Sequence, residues 1–134
     1  MVDILITAGK VKLRARLLDT PTARIIRRVL PIYSTAETWG QSVHFETQAE
    51  AGRERNAAFN VKPGEIAYWS EDDRIIIGFG PTPISGDGEI RMPSPCNVFA
   101  VTEDDVTALR TVRPGSQISV MAAAPSRGPA RSRG

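Results

Sequence analysis

Ser42, His44 and Glu46, alternating along the run "SVHFE", have the side-chain types of a nucleophile, a general base and an orienting carboxylate. Their spacing argues against that chemistry. The apolar residues between them, Val43 and Phe45, mark a β-strand, and residues two apart on one strand face stand roughly 6.6–6.8 Å from each other, beyond hydrogen-bond reach of short side chains. The trio reads as the solvated polar face of a strand. His44 is the only histidine and Cys96 the only cysteine, so no Cys/His metal cluster and no intrachain disulfide can form, and a reducing compartment fits. Cys96, between Pro95 and Asn97, reads as a small buried residue and not as a nucleophile. The carboxylates of Glu71, Asp72 and Asp73 are consecutive and diverge, unlike the spaced ligands of a calcium loop, and read as an acidic turn. "SGDGE" has neither the strand–loop–helix context nor the lysine of a phosphate loop. None of these patterns calls for a metal or a cofactor.

The aromatic residues have more to offer a ligand. Phe45, Trp69, Phe79 and Phe99 lie in apolar runs, with Trp39 and Tyr68 at strand ends. In small β-structures inward aromatics mostly fill the interior. Tyr68 and Trp69 are neighbours on one strand, however, and must point to opposite faces. At least one of them lies outside the core and needs cover from a helix, a loop or a ligand.

The elements that must position these side chains are mostly strands. "VDILITAGKVKLRARLLD" alternates apolar and polar residues on both sides of Ala8-Gly9 and predicts a hairpin. In "DTPTARIIRRVLP", Asp19 or Thr20 can cap a helix, Pro21 suits its first position, Ile25, Ile26, Val29 and Leu30 make an apolar stripe, and Pro31 stops it. Short extended runs follow through residues 32–46 and 61–79, separated by a polar surface excursion over 48–60. "CNVFAV" predicts a further strand, "TEDDVTALR" a second short helix with Thr102 and Asp105 at capping-box spacing, and "SQISVM" a last strand. About eight strands and two short helices point to a mainly β, closed barrel, because closure removes exposed edges.

A chain of 134 residues with 41% hydrophobic content suits one domain. The boundaries expected are 1–121 for the barrel and 122–134 for a flexible Pro/Gly/Arg tail. The net charge of +2 comes from that tail: without Arg127, Arg131 and Arg133, 14 basic residues face 15 acidic ones. So balanced a core offers no phosphate-binding face, and nucleic acid is not an expected partner. No run reaches the ~18 apolar residues of a membrane span, and "MVDILITAGK" reads as a first strand instead of a signal peptide, so a cytoplasmic protein is expected. Nothing in the pattern demands more than a monomer or weak homodimer.

Three segments in order, "ETWGQSVHFE", "VKPGEIAYW" and "GFGPTPISGDGEIRMPSPCNV", resemble the small bacterial and archaeal cyclophilin-like proteins across roughly residues 2–121. The third is the most specific. The resemblance implies an eight-stranded barrel with helices plugging its ends. True cyclophilins are peptidyl-prolyl isomerases, and their signature places an arginine shortly before a Phe, Met and Gln run and paired glycines, which this chain lacks.

An isomerase must lower an amide barrier of about 18–20 kcal/mol by aiming a donor at the prolyl nitrogen beside an apolar pocket. Arg91, in the "EIR" element, is the candidate catalytic donor; Arg74 is the weaker alternative. An ion pair with Glu89 or with the Asp72–Asp73 turn is the structural reading of Arg91. The expected ligand site comprises Trp39, Phe45, Tyr68, Trp69, Phe79, Pro81, Thr82 and Arg91, bordered by the Pro- and Gly-rich loop 79–95. Pro81 and Pro83 end pairing on one side of that loop, while Pro93 and Pro95 delay it until "CNVFA". The first functional expectation is a module binding a peptide or small molecule without efficient isomerase activity. A prolyl isomerase comes second, and another enzyme using the same pocket, with a carboxylated metabolite on Arg91, third.

Overall fold

Gly9, at φ +60°, and Lys10 turn the chain between β1 (Asp3–Ala8) and β2 (Val11–Leu17), which pair antiparallel in the hairpin register the sequence predicts. The computed structural model describes residues 2–124, so the expected tail lies outside the described residues from position 125 onward. Helix α1 (Pro21–Val29) begins with Pro21, and Thr20 caps it by accepting a hydrogen bond from the Ala23 N–H at 3.0 Å. The helix stops at Leu30, before Pro31. The chain continues through β3 (Ile32–Thr35), β4 (Glu37–Thr38), β5 (Ser42–Glu46), β6 (Ala58–Asn60), β7 (Glu65–Trp69), β8 (Arg74–Gly78) and β9 (Arg91–Thr102). A 3-10 helix (Val106–Thr111) and β10 (Gln117–Ala123) complete it. Two helices are present among the described residues, as expected, but the cap of the second is Asp105 alone, accepting from the Thr107 N–H; Thr102 belongs to β9 and donates to the Arg14 carbonyl at 2.6 Å.

The sheet is not closed into a barrel, which corrects the eight-stranded expectation. Ten strands form it, in the order β3-β10-β1-β2-β9-β7-β8-β5-β4, with β6 on β9. The two ends of this path are consecutive in the chain, on either side of Ala36. Ala36 is fully buried and stays tied to the β10 side, its N–H donating to Ser116 and its carbonyl accepting from Gly115. The extended run 32–38 therefore changes partner at Ala36, β3 pairing with β10 and the two-residue β4 with β5. Closure would require β3 to pair with β5, and instead a groove of about 570 Å³ lies beside them, lined by residues such as Thr35 and Glu46.

Strand β9 also starts earlier than its prolines suggest. Residues 91–96 pair only with β6, and pairing with β7 begins at Asn97. Pro93 and Pro95 thus sit where one side of the strand needs no ladder donor.

The central strands β5, β8 and β7 separate two apolar clusters. Their inner faces contribute Phe45, Ile75, Ile77, Ile66 and Tyr68 to the main core, with Ile4, Ile6, Leu13, Ile26 and Phe99. Their outer faces contribute Ala67 and Ile76 to a smaller cluster with Val61, Ile90, Met92 and Cys96. Ile90 and Met92 come from the end of the 79–95 segment, so that segment covers the outer face. Gly78 makes the approach possible: a Cβ there would collide with the Ile90 side chain. Cys96 is the buried residue expected, and burial pushes its thiol up to about 12, far from a reactive thiolate.

Polar groups fix the excursion after β5. Asn97, 1% exposed, donates to the Gly52 carbonyl (2.8 Å) and the Thr22 hydroxyl (3.0 Å) and accepts from the Glu54 N–H (2.9 Å). The single proton of the Tyr68 hydroxyl is shared between the Ala49 carbonyl at 2.8 Å and the Asp73 carboxylate at 2.7 Å. Residues 49–54, polar by composition, are thereby tied to α1, β7 and β9.

Candidate ligand-binding site

On the outer face, cross-strand pairing assembles two rows of side chains. One row runs Glu37, His44, Ile76 and Ala67 across β4, β5, β8 and β7; the next runs Glu46, Arg74 and Trp69 across β5, β8 and β7. Directly opposed residues on antiparallel strands hold their Cβ atoms ~4.5–5.5 Å apart, so these rows are forced into contact. Where these rows emerge from under the small apolar cluster, Glu37, His44, Ile76, Arg74 and Trp69 border a cavity of about 330 Å³, whose other walls are Trp39, Asp72 and Pro93.

Trp39 is delivered by a tight turn. Its N–H donates to the Ser42 carbonyl at 3.1 Å, and the buried Ser42 hydroxyl donates back to the Trp39 carbonyl at 2.6 Å. Gly40 within this turn has φ +57°, and a Cβ on it would meet Pro83 Cδ at 2.7 Å and Thr82 Cα at 2.8 Å. Only glycine suits both the backbone and the close approach of the 79–95 loop. That loop is itself braced: the Ser85 hydroxyl accepts from the Thr82 and Arg91 N–H groups at 2.9 and 3.0 Å, and the Thr82 hydroxyl donates to the Arg91 carbonyl at 2.6 Å.

Arg74 is the electrostatic centre, with its side chain only 14% exposed. Its Nε donates to Asp72 at 2.7 Å and its Nη1 to Glu37 at 3.2 Å, while Nη2 lies 3.7 Å from Glu46. Burial opposes its charge, but the hydrogen bonds to Asp72 and Glu37 more than offset that, and its pKa lies above the ordinary arginine value. Nη1 also lies 3.3 Å from His44 Nδ1. A guanidinium can only donate, so Nδ1 is the accepting, unprotonated nitrogen and Nε2 carries the proton. Burial, and then the Arg74 charge, lower the His44 pKa below its ordinary 6.5, so the ring is neutral at pH 7. The ring stands edge-on to Trp69, with centroids 6.0 Å apart and an angle of 74°. Trp69 Nε1 is buried and has no hydrogen-bond partner among the described residues.

The expected site residues are thus divided. Trp39 and Trp69 meet at the cavity, and Pro93 of the Pro-rich segment borders it. Phe45 and Tyr68 are 0% exposed on the opposite face of the sheet, because the alternation that turns Trp69 outward turns them in. Burial pushes the Tyr68 hydroxyl well above the ordinary tyrosine range, helped by its bond to Asp73. Phe79 packs against the main core, Pro81 is exposed with its carbonyl accepting from the Gln41 N–H, and Thr82 is a buried brace. Arg91 lies over the Phe59 ring, 4.2 Å from its centroid, and not against Trp69 or Phe79. It pairs with neither Glu89 nor the Asp72–Asp73 turn in any described ion pair.

His44, Glu37 and Asp72 are the site residues that sequence reasoning passed over, and Arg74 is the one it ranked second. His44 and Ser42 are not a solvated face: Ser42 is buried and His44 half-buried. The signal was the hairpin "AYWSEDDRIII", whose acidic turn places Arg74 opposite Trp69. Other cavities are as large or larger, notably the open seam and a 550 Å³ groove along β3 and β10, but neither combines paired indoles, a perturbed histidine and a half-buried cation. Among the described residues, no group of three or more His, Cys, Asp or Glu side chains is placed to hold a metal ion. None of the described helices is long and apolar enough to cross a membrane.

The fold is that of a mainly β, cyclophilin-like domain, and residues 2–121 match the cyclophilin-like family, to which this chain belongs. A hypothetical protein from Archaeoglobus fulgidus, solved in solution, has 34% sequence identity and a TM-score of 0.78, over 91% of this chain and 95% of its own. McbB, solved in complex with tryptophan, shares the fold at 13% identity and a TM-score of 0.68, over 92% of this chain but 46% of its own. No functionally curated protein matches the sequence.

Proposed function

We propose that the protein is a ligand-binding module whose site is the Trp39/Trp69 cavity beside the 79–95 loop, taking a small organic molecule or one side chain of a peptide. The observation that carries this reading is the convergence of both indoles with His44 and the half-buried Arg74 on one concave space. Pockets for small molecules are commonly ~300–1000 Å³ and lined by aromatics with a few placed polar groups, and about 330 Å³ falls at the small end of that range. The rigid loop favours a preformed site, since Gly40 and the Ser85 brace fix the wall that carries Trp39.

Binding without efficient prolyl isomerisation is the reading favoured over the isomerase. The candidate donor Arg91 is stacked on Phe59, and the main-core aromatics expected as its floor are buried beneath the sheet. Ligand-observed NMR with a fragment and short-peptide library tests the site: hits that disappear with Trp39→Ala are expected, and hits indifferent to it would refute the placement. A protease-coupled assay on an X-Pro peptide tests the second half, with the spontaneous rate as the expected result and clear acceleration as the contrary one.

A further inference from the structure

We propose that the Trp39/Trp69 cavity selects an organic cation, a protonated or quaternary amine; this rests on reading that cavity as the ligand site. Charge bookkeeping around the cavity is one-sided. Of the charged residues lining it, Glu37 and Asp72 face a single guanidinium, so the lining is formally −1 with His44 neutral, and Glu46 stands beside Arg74 just outside it. The one cation in the lining is already committed to carboxylates: the Arg74 Nε donates to Asp72 and its Nη1 to Glu37 and His44, while Nη2 lies 3.7 Å from Glu46.

The carboxylates, by contrast, keep capacity. Each has two oxygens, and the contacts to Arg74 use one from each side chain. The side chains of Glu37 and Asp72, which line the cavity, are 55% and 52% exposed, so they form a solvent-accessible negative rim. Inside the rim are two indoles, the aromatic ring with the strongest attraction for a cation on its face. Aromatic walls within a negative rim suit a small alkylammonium group, whose methyl or methylene surface fits apolar contact while its diffuse charge avoids full dehydration. A hard divalent ion is a poor match, because among the described residues no three carboxylates or imidazoles are placed to ligate one. The same chemistry is found in a free quaternary ammonium metabolite and in a methylated lysine side chain.

Because Trp39 and Trp69 are the only tryptophans, fluorescence of the full chain excited at the red edge of indole absorption, where Tyr33 and Tyr68 do not absorb, reports this cavity. The experiment titrates the chain with choline, with choline's neutral isostere in which carbon replaces nitrogen, with benzoate, and with a trimethyllysine peptide beside its unmodified lysine form. Saturable quenching by choline or the trimethyllysine peptide is expected, weaker by roughly two- to fivefold or more for the isostere, the range a half-exposed cation–π contact supplies. Glu37→Gln and Asp72→Asn should each weaken the cation by a larger factor than the isostere. Tighter binding of choline identifies a free metabolite as the source, and tighter binding of the peptide a protein side chain; either supports the inference. Equal or better binding of the isostere or of benzoate overturns it while leaving the cavity a ligand site. Failure of every probe, together with an empty fragment screen, overturns the site itself and the inference with it.

Discussion

Tyr68 and Trp69 are adjacent on β7, yet they belong to two regions built on opposite principles. Tyr68 points into the main core, 0% exposed, and its hydroxyl is fully partnered by Ala49, Ala51 and Asp73. The neighbouring Asn97 network is likewise satisfied, holding Thr22, Gly52 and Glu54 in fixed places. On the other face Trp69 has a buried Nε1 without a partner among the described residues and stands beside a half-buried histidine and a cation ringed by carboxylates, the three side chains bordering open space. Buried polar groups in native structures are normally satisfied, and those that are not tend to have a reason other than stability. The inner region holds the fold, and the outer one is where the proposed ligand site lies.

The comparison breaks most visibly if substitutions on the two faces act alike. Phe45→Ala, which empties a fully buried site in the main core, should destabilise the protein by about 3–5 kcal/mol in urea unfolding. Tyr68→Phe keeps the ring and removes only the hydroxyl, leaving its partners short of a bond; a loss of about 1–3 kcal/mol is expected from the same measurement. Trp39→Ala, on the outer face, should change stability by less than about 1 kcal/mol but weaken any cavity ligand by tenfold or more, worth about 1.4 kcal/mol. A Trp39 variant as unstable as the Phe45 variant would mean that the cavity wall is part of the core.

The smallest effect is a pH dependence. The folded state lowers the His44 pKa from 6.5, through burial first and Arg74 second, with Glu37 and Asp72 opposing. Below 6.5 the unfolded chain therefore binds more protons at this residue than the folded one, and His44 stability is lost as pH falls through the folded pKa. Denaturation midpoints of the wild type and His44→Gln should diverge modestly below pH 6.5, the wild type falling faster. Parallel curves would mean that His44 titrates as freely as in solvent.

Much of the fold was legible because local chemistry specified it. The Gly9 turn, the Pro21 start and Pro31 stop of α1, and the opposite orientation of Tyr68 and Trp69 all follow from φ constraints and period-two alternation. The missing closure was not, because it depends on how Ala36 divides one extended run between two partners at opposite ends of the sheet. Nor was the early start of β9, since Pro93 and Pro95 look like strand breakers until their strand is known to pair on one side only there. Of the cavity's lining, Trp39 and Trp69 were singled out by type. His44 and Arg74 required register: alternation says which face a residue takes, while the ladder alone says that Arg74 lies between Glu46 and Trp69. Arg91 was favoured because of the motif around it, and its motif serves the loop's own bracing, through the Arg91 backbone on Ser85 and Thr82.

With two tryptophans in the chain, both in the cavity wall, the protein gives two indole N–H signals in a proton–nitrogen correlation spectrum, each an independent witness to the site. Titrating the isotope-labelled chain with the fragments and ammonium compounds above should shift both signals together, saturably, and leave the amides of Phe45 and Phe99 in the main core in place. Ligands that move core amides or distant loops while both indoles stay fixed would contradict the assignment of function to this face of the sheet.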